Sequence, residues 1–422
     1  MYEQINVFYI IQFYTTFVFY KIQYNMELLF EQFQRLLQKT DLSIKRYLYH
    51  TIDWKNRLIA ITGARGSGKT TLMLQYIKTK LANSSQTMYV SLDNIYFNEN
   101  KLLIFIDTFV KNDGKYLFLD EVHKYPSWAI EIKNAYDIYK NLKIVFTGSS
   151  ALEIHKSKAD LSRRAVVYEL AGLSFREFLL FTHGKKISTY SLKEILQHHI
   201  KIAKEISNTI KPIPAFNNYL KYGYYPFFLE NKQAYTSQLQ QAISLTIETD
   251  LPSIHSVDFS SIQKLKKLLY VLSQSVPFTP NISKLANRIE TTRTSLLLYL
   301  HYLEKASLIK QLRSNSKGLS MLSKAEKIYP GNPNIMFALA EEKPDKGTLR
   351  EVFLLNQLEI AHTLYSSDAA DFLINNIYTV EVGGKGKDYT QIKQTKNAYL
   401  AVDDIEIGYH HKIPLWLFGF LY

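Results

Sequence analysis

The chain has no cysteine in 422 residues. That excludes disulfides, thiolate zinc sites and cysteine nucleophiles, and it fits a reducing compartment. A long apolar run is missing too. The largely apolar and aromatic stretch Ile5 to Phe19 falls short of the roughly 20 apolar residues a spanning helix needs. It also makes a poor signal peptide, because Glu3 is the only charge ahead of it and no small-residue cleavage site follows. No internal repeat and no low-complexity tract is present. Acidic residues are scarce beside basic ones, 38 Asp and Glu against 51 Lys and Arg, for a formal charge of +13. Such an excess suits an anionic partner, nucleic acid foremost. AT-rich coding also enriches Lys, Asn, Ile, Tyr and Phe, and the 31 tyrosines fit that simpler origin.

The remaining composition is that of a globular chain, 46% hydrophobic, with material for two to four domains. Met26 opens an amphipathic segment, MELLFEQFQRLLQK, of ordinary helical pattern. We therefore read residues 1–25 as an upstream extension from a misplaced start codon, the rival being a hydrophobic arm that packs on a partner.

The most informative run is Gly63-Ala64-Arg65-Gly66-Ser67-Gly68-Lys69-Thr70, followed by Thr71. It fits G-x-x-x-x-G-K-[ST], whose backbone N–H groups cradle phosphates. Glycines let the main chain approach the anion, and the helix N-terminus behind them adds a favourable field. Lys69 offers a point charge to the β- and γ-phosphates, and Thr70 a hydroxyl to Mg²⁺. The flanks match, with an apolar strand at 57–62 before the loop and a helix at 69–82 after it. The expected ligands are ATP and Mg²⁺.

From 51 to 150 the chain alternates strands at 57–62, 87–92, 116–120 and 142–148 with helices at 69–82, 98–111 and 128–140. This is the pattern of a mostly parallel sheet covered by helices. The strand at 116–120 ends in Asp120 and Glu121. The first suits a hydrated Mg²⁺, and the second suits the attacking water. At the next strand tip a polar residue would lie beside the γ-phosphate; Ser149 is the first choice and Thr147 the second. Arg163 and Arg164 follow, and either can stabilise charge on a transferring phosphoryl group, in cis or in trans. A surface salt bridge is the competing role for each.

These segments, GARGSGKTTLMLQ, YLFLDEVHKYPSWAIEIKNAYD, IVFTGSSALEI and DLSRRAVVYELAGLSFREFL, resemble the bacterial and archaeal AAA-type ATPases whose ATPase domain precedes a domain named DUF4143. The resemblance implies ATP binding by Gly63 to Thr70, completion of the site by Asp120 and Glu121, a sensor at Ser149, and a finger or sensor at Arg163 or Arg164.

Downstream, Asn281 to Ile289, a turn through Glu290, Thr291, Thr292, Arg293, Thr294 and Ser295, a helix to Lys305 and a strand at 307–312 read as a winged helix-turn-helix. Thr291, Thr292, Arg293 and Ser295 would open its recognition helix. A lid or protein-docking role is the rival reading. The last region shows strand patterns at 371–382, 398–402 and 413–421 and carries Glu351 on a helix, Asp371, Glu381 and Gln391, similar in layout to restriction-endonuclease-like folds. Metal chemistry there needs a lysine beside the acids, yet Glu381 is followed by Val382 and Gly383, and Lys385 lies two residues on. We expect an inactive nuclease-like fold.

The expected fold is α/β: a P-loop NTPase parallel sheet with a helical lid, a winged helix-turn-helix unit and a C-terminal α+β restriction-endonuclease-like domain. The expected divisions are 1–50 (extension and helix), 51–180 (ATPase), 181–254 (lid or linker), 255–315 (winged helix) and 316–422 (nuclease-like). The expected function is Mg²⁺-dependent ATP hydrolysis in an ATP-gated switch, cytoplasmic and without a membrane. Its partners would be DNA through 281–312, another protein or further copies of itself. The alternatives are a nucleic-acid-processing motor or nuclease component, or a non-hydrolysing scaffold.

Overall fold

A computed structural model describes residues 26–81, 85–149, 161–255, 257–274, 281–315 and 325–422. The expectation about residues 1–25 lies outside the described residues, as does the segment 150–160. The described chain separates into two compact units. One holds the residues up to Thr62, Lys69–Gly148 and those up to Tyr168; the other holds Gly63–Gly68, Ser149 and Glu169–Tyr422.

The first unit is built on a five-stranded sheet of order β2-β3-β4-β1-β5. Its strands are β1 (Leu58–Gly63), β2 (Thr87–Ser91), β3 (Tyr116–Asp120), β4 (Lys143–Ser149) and β5 (Val166–Glu169). The β2–β3 and β3–β4 pairs are parallel, with Ser91 opposite Asp120. Leu117, Phe118 and Leu119 are fully or almost fully buried, as expected for a strand packed on both faces. The helix after the loop runs Lys69–Tyr76 and then loosens into a π-helical turn, Ile77–Leu81, where one continuous helix to 82 was expected. At the junction Tyr76 stacks on Trp54, with ring centroids 3.8 Å apart. The helix expected at 98–111 is two pieces, Tyr96–Glu99 and Leu102–Lys111, separated by the extended Asn100 and Lys101.

The second unit is largely helical up to residue 305. Its helices are Phe175–His183, Leu192–Ser207, Pro212–Tyr222, Tyr235–Leu245, Leu251–Ile254, Phe259–Ser273, Ile282–Arg288 and Arg293–Lys305. The first two open with capping boxes at Ser174 and Ser191, which satisfy end N–H groups. Prolines 212 and 226 sit in first turns, where no N–H is lost. Asn281 and Thr292 cap the last two helices by accepting from Lys284 N and Ser295 N, 3.1 Å each. Strand β6 (Ile309–Leu312) then pairs antiparallel with β7 (Lys327–Pro330).

After the helix Lys346–Leu358 comes a second five-stranded sheet, order β12-β11-β10-β9-β8. It comprises β8 (Leu364–Tyr365), β9 (Phe372–Ile374), β10 (Tyr378–Gly383), β11 (Ala398–Val402) and β12 (Lys412–Pro414). Its β10–β11 and β11–β12 pairs are parallel and β9–β10 is antiparallel. A strand expected over 413–421 is instead short, ending at Pro414 before a 3₁₀ helix, Leu415–Phe420. That run is buried throughout, so it has no polar face whose period could separate strand from helix. No helix among the described residues is long and apolar enough to cross a membrane.

Candidate functional site

The tip of β3 gathers the chemistry in the first unit. Asp120 is buried, 2% exposed, yet every side around it offers a donor. Its Oδ2 accepts from Thr70 Oγ1 at 2.6 Å and from the Tyr89 hydroxyl at 2.8 Å. Its Oδ1 accepts from the Thr147 hydroxyl and from Glu121 N–H at 3.1 Å. An ionised carboxylate can only accept, so a ring of hydroxyl donors is the environment that suits it. Burial, then the charge of Asp120, pushes the Tyr89 phenol well above its ordinary pKa, so Tyr89 stays a donor.

Glu121 adopts a left-handed backbone, φ 51° and ψ 41°. For a residue with a Cβ that conformation costs about 1–2 kcal/mol, and such outliers cluster at functional positions. Its N–H is held by Asp120 and by Thr147 Oγ1 at 3.0 Å. Its carboxylate lies 3.4 Å from Nε2 of the buried His123. Thr147, the second choice for the strand-tip polar residue, therefore touches both members of the acidic pair. Ser149, the first choice, is buried at the end of the same strand.

Lys69 and Thr70 begin the helix behind the loop, and Lys69 is 5% exposed. The donor set suits Mg²⁺, a hard cation held by one or two protein oxygens plus phosphates rather than by an all-protein cage. Thr70 commits its proton to Asp120, which leaves its lone pairs for a cation. No group of three or more His, Asp or Glu able to hold a metal occurs among the described residues.

The loop itself is assigned to the second unit, where Gly63 and Gly66 show why glycine is needed. Gly63 has φ 154°, and a Cβ there would meet Leu170 O at 2.4 Å. Gly66 has φ 79°, and a Cβ there would lie 2.9 Å from the Phe227 ring. Arg65 forms a two-pronged ion pair with Asp250, Nε to Oδ2 3.2 Å and Nη2 to Oδ1 2.8 Å. Ala64, Ser67, Gly68 and Thr71 complete the run, with Ser67 N donating to Ala64 O at 3.2 Å.

The two arginines differ. Arg164 is engaged with Asp137 through Nε and Nη2, at 3.0 and 3.1 Å, and holds that carboxyl below its ordinary pKa. Arg163 is exposed.

The C-terminal acids are also brought together. Lys327 Nζ lies 3.0 Å from Asp371 and 3.5 Å from Glu351, and Tyr329 donates to Glu351 at 2.5 Å. Asp371 Oδ2 accepts from Val382 N at 3.0 Å, and Gln391 donates to Glu381 at 3.4 Å. The lysine beside Glu381 is Lys387, at 2.5 Å, whereas Lys385 is exposed. Gly383 explains this: the Lys387 stem passes 2.5 Å from where a Cβ at 383 would stand. Burial raises the pKa of Glu351 and of Glu381.

Sequence reasoning missed Tyr89, His123, Asp250, Lys327 and Lys387. A tyrosine on the strand beside an acidic strand tip was the available signal for the first; the others meet their partners through folding.

Residues 55–179 match the AAA domain family. Residues 213–346 match a domain of unknown function, DUF8612; the DUF4143 that the resemblance implied is not confirmed. An uncharacterized protein of Methanocaldococcus jannaschii is 29% identical over 289 residues, which is 65% of this chain and 60% of that protein. The chain thus matches 60% of that relative's length. Among solved structures, the Aeropyrum pernix Orc1 protein in complex with DNA aligns at TM-score 0.31 and 10% identity, covering 74% of this chain and 92% of that one. AMPPCP-bound DnaA from Aquifex aeolicus aligns at TM-score 0.26 and 15% identity, covering 61% and 84%. Overlaps this loose carry nothing about what the present chain binds. The AAA match and the α/β segment with its loop agree on an ATP-binding P-loop domain.

Proposed function

We propose that the chain is a Mg²⁺-dependent ATPase acting as an ATP-gated switch. The observation that carries this is the 2.6 Å hydrogen bond from Thr70 to Asp120, with Glu121 beside it. Loop hydroxyl and acidic strand tip meet as a hydrolytic site requires. Lys69 places its ammonium on the β- and γ-phosphates, and Thr70 and Asp120 would hold Mg²⁺. The cation supplies charge neutralisation on the phosphate oxygens. Glu121 takes the proton of a water that attacks the γ-phosphate in line, and the leaving group is ADP. Arg163 or Arg164 would serve as a finger, in cis or in trans; Arg164 is engaged by Asp137.

The switch would report to a binding module. The capped helices Ile282–Arg288 and Arg293–Lys305 followed by the β6–β7 pair support a winged helix-turn-helix reading, with Thr291, Thr292, Arg293 and Ser295 at the start of the second helix. In the C-terminal sheet Lys387 lies beside Glu381 and Lys327 beside Asp371 and Glu351, so the lysine whose absence from the local spacing argued for an inactive nuclease-like fold is present in space. The deciding experiment compares nucleotide binding by calorimetry and phosphate release of wild type and Lys69→Ala, with and without duplex DNA. The proposal expects Mg²⁺-ATP binding that Lys69→Ala abolishes. Turnover strongly stimulated by DNA, with steeply salt-dependent DNA affinity, would favour a processing motor instead.

A further inference from the structure

Asp120 is gripped from both sides of its strand. β3 lies between β2 and β4, and each neighbour sends one hydroxyl to the carboxylate, Tyr89 from β2 and Thr147 from β4. Tyr89 stands opposite Phe118, two residues behind the position aligned with Asp120, so its phenol reaches forward along the sheet to the strand tip. The ring is 6% exposed and packs against Phe33, with centroids 6.2 Å apart. Thr70 and Tyr89 share the same oxygen, Oδ2.

We propose that Tyr89 is a positioning residue for the metal-holding carboxylate: it fixes the orientation of Asp120 and thereby sets the affinity of the site for Mg²⁺. The inference rests on the ATPase reading above. A carboxylate with one oxygen tethered by an inflexible phenol keeps a single orientation toward Thr70. Without that tether it can rotate about its Cβ–Cγ bond, and ordering it again weakens cation binding. Partners that orient a metal-holding group in this way are worth about 10- to 100-fold in metal affinity or activity.

The test uses the full chain, wild type and Tyr89→Phe, which removes one oxygen and keeps the ring. Phosphate release is measured against free Mg²⁺, and binding of a fluorescent ATP analogue is measured in EDTA. The expected result is a half-saturating Mg²⁺ concentration raised about tenfold, with metal-free nucleotide affinity unchanged. A half-saturation within twofold of wild type overturns the proposal. So does a variant that loses metal-free nucleotide binding as well, because the hydroxyl would then be serving the fold alone. A wild type without any Mg²⁺ dependence would instead refute the ATPase reading itself.

Discussion

Asp120→Asn separates what this carboxylate does for the fold from what it does for the cation. Two donors lie on each oxygen: Thr70 and Tyr89 on Oδ2, Thr147 and Glu121 N–H on Oδ1. An amide replaces one acceptor oxygen by a donor. It will settle with its nitrogen toward Thr70 and Tyr89, because a hydroxyl can turn to accept and a backbone N–H cannot. No hydroxyl is then left without a hydrogen bond, though the Thr70 and Tyr89 protons lose their acceptor; that loss and the lost charge assistance are partly offset by no longer burying a charge. We expect a net cost of about 1–2 kcal/mol. Asp120→Ala leaves the buried Tyr89 and Thr147 hydroxyls without an acceptor, at about 1–3 kcal/mol for each stranded group, so its cost is about 3 kcal/mol. For a unit of this size each kcal/mol lowers the melting temperature by about 2–4 °C. Scanning calorimetry of both variants, with ATP and with Mg²⁺-ATP, measures the two effects together. Both variants should lose the extra stabilisation that Mg²⁺ adds to ATP, and only Ala should melt markedly lower without ligand. Equal melting temperatures, or a Mg²⁺ increment retained in Asn, would refute the reasoning.

Arg65→Ala should destabilise the second unit more than Asp250→Asn does. The first takes the guanidinium away from a carboxylate that is 2% exposed, while the second leaves an arginine that is 32% exposed and reaches water. Denaturation of the two single variants and the double variant measures this, and equal losses would show that burial does not set the cost. Glu351→Gln should flatten the pH dependence of stability. Burial raises the folded pKa of Glu351 above 4.5, so the native chain holds more protons than the unfolded one just above that value. Its contribution therefore falls as pH rises from 4.5 through the folded pKa, and urea denaturation should show that decline in wild type and a weaker one in the variant.

Much of the first unit was legible from residue order alone. The apolar strand, the glycine loop and the helix behind it follow one another in 57–82, and local pattern suffices to read them. Asp120 and Glu121 were legible because an apolar strand that ends in two carboxylates is a contiguous signal. Glu121's left-handed backbone was not, since nothing in Asp-Glu-Val calls for φ 51° until Thr147 and Asp120 take its N–H. Thr147 ranked below Ser149 because the sequence shows a strand tip and not which side chain turns toward β3. Arg65 and Asp250 are 185 residues apart, beyond any periodicity. Lys387 rather than Lys385 reaches Glu381 because Gly383 leaves room for its stem, a fact of space and not of spacing. The run Leu415–Phe420 misled for the opposite reason: full burial erases the alternation on which strand reading depends.

Phosphate release by wild type and Glu121→Gln tests the central claim most directly. The substitution keeps size and backbone and removes only the group that accepts water's proton. The account predicts Mg²⁺-dependent release by wild type, a fall of about 10²- to 10⁴-fold in Glu121→Gln, and nucleotide binding intact in both. Release by the variant within threefold of wild type, or none from wild type with Mg²⁺-ATP bound, would contradict it.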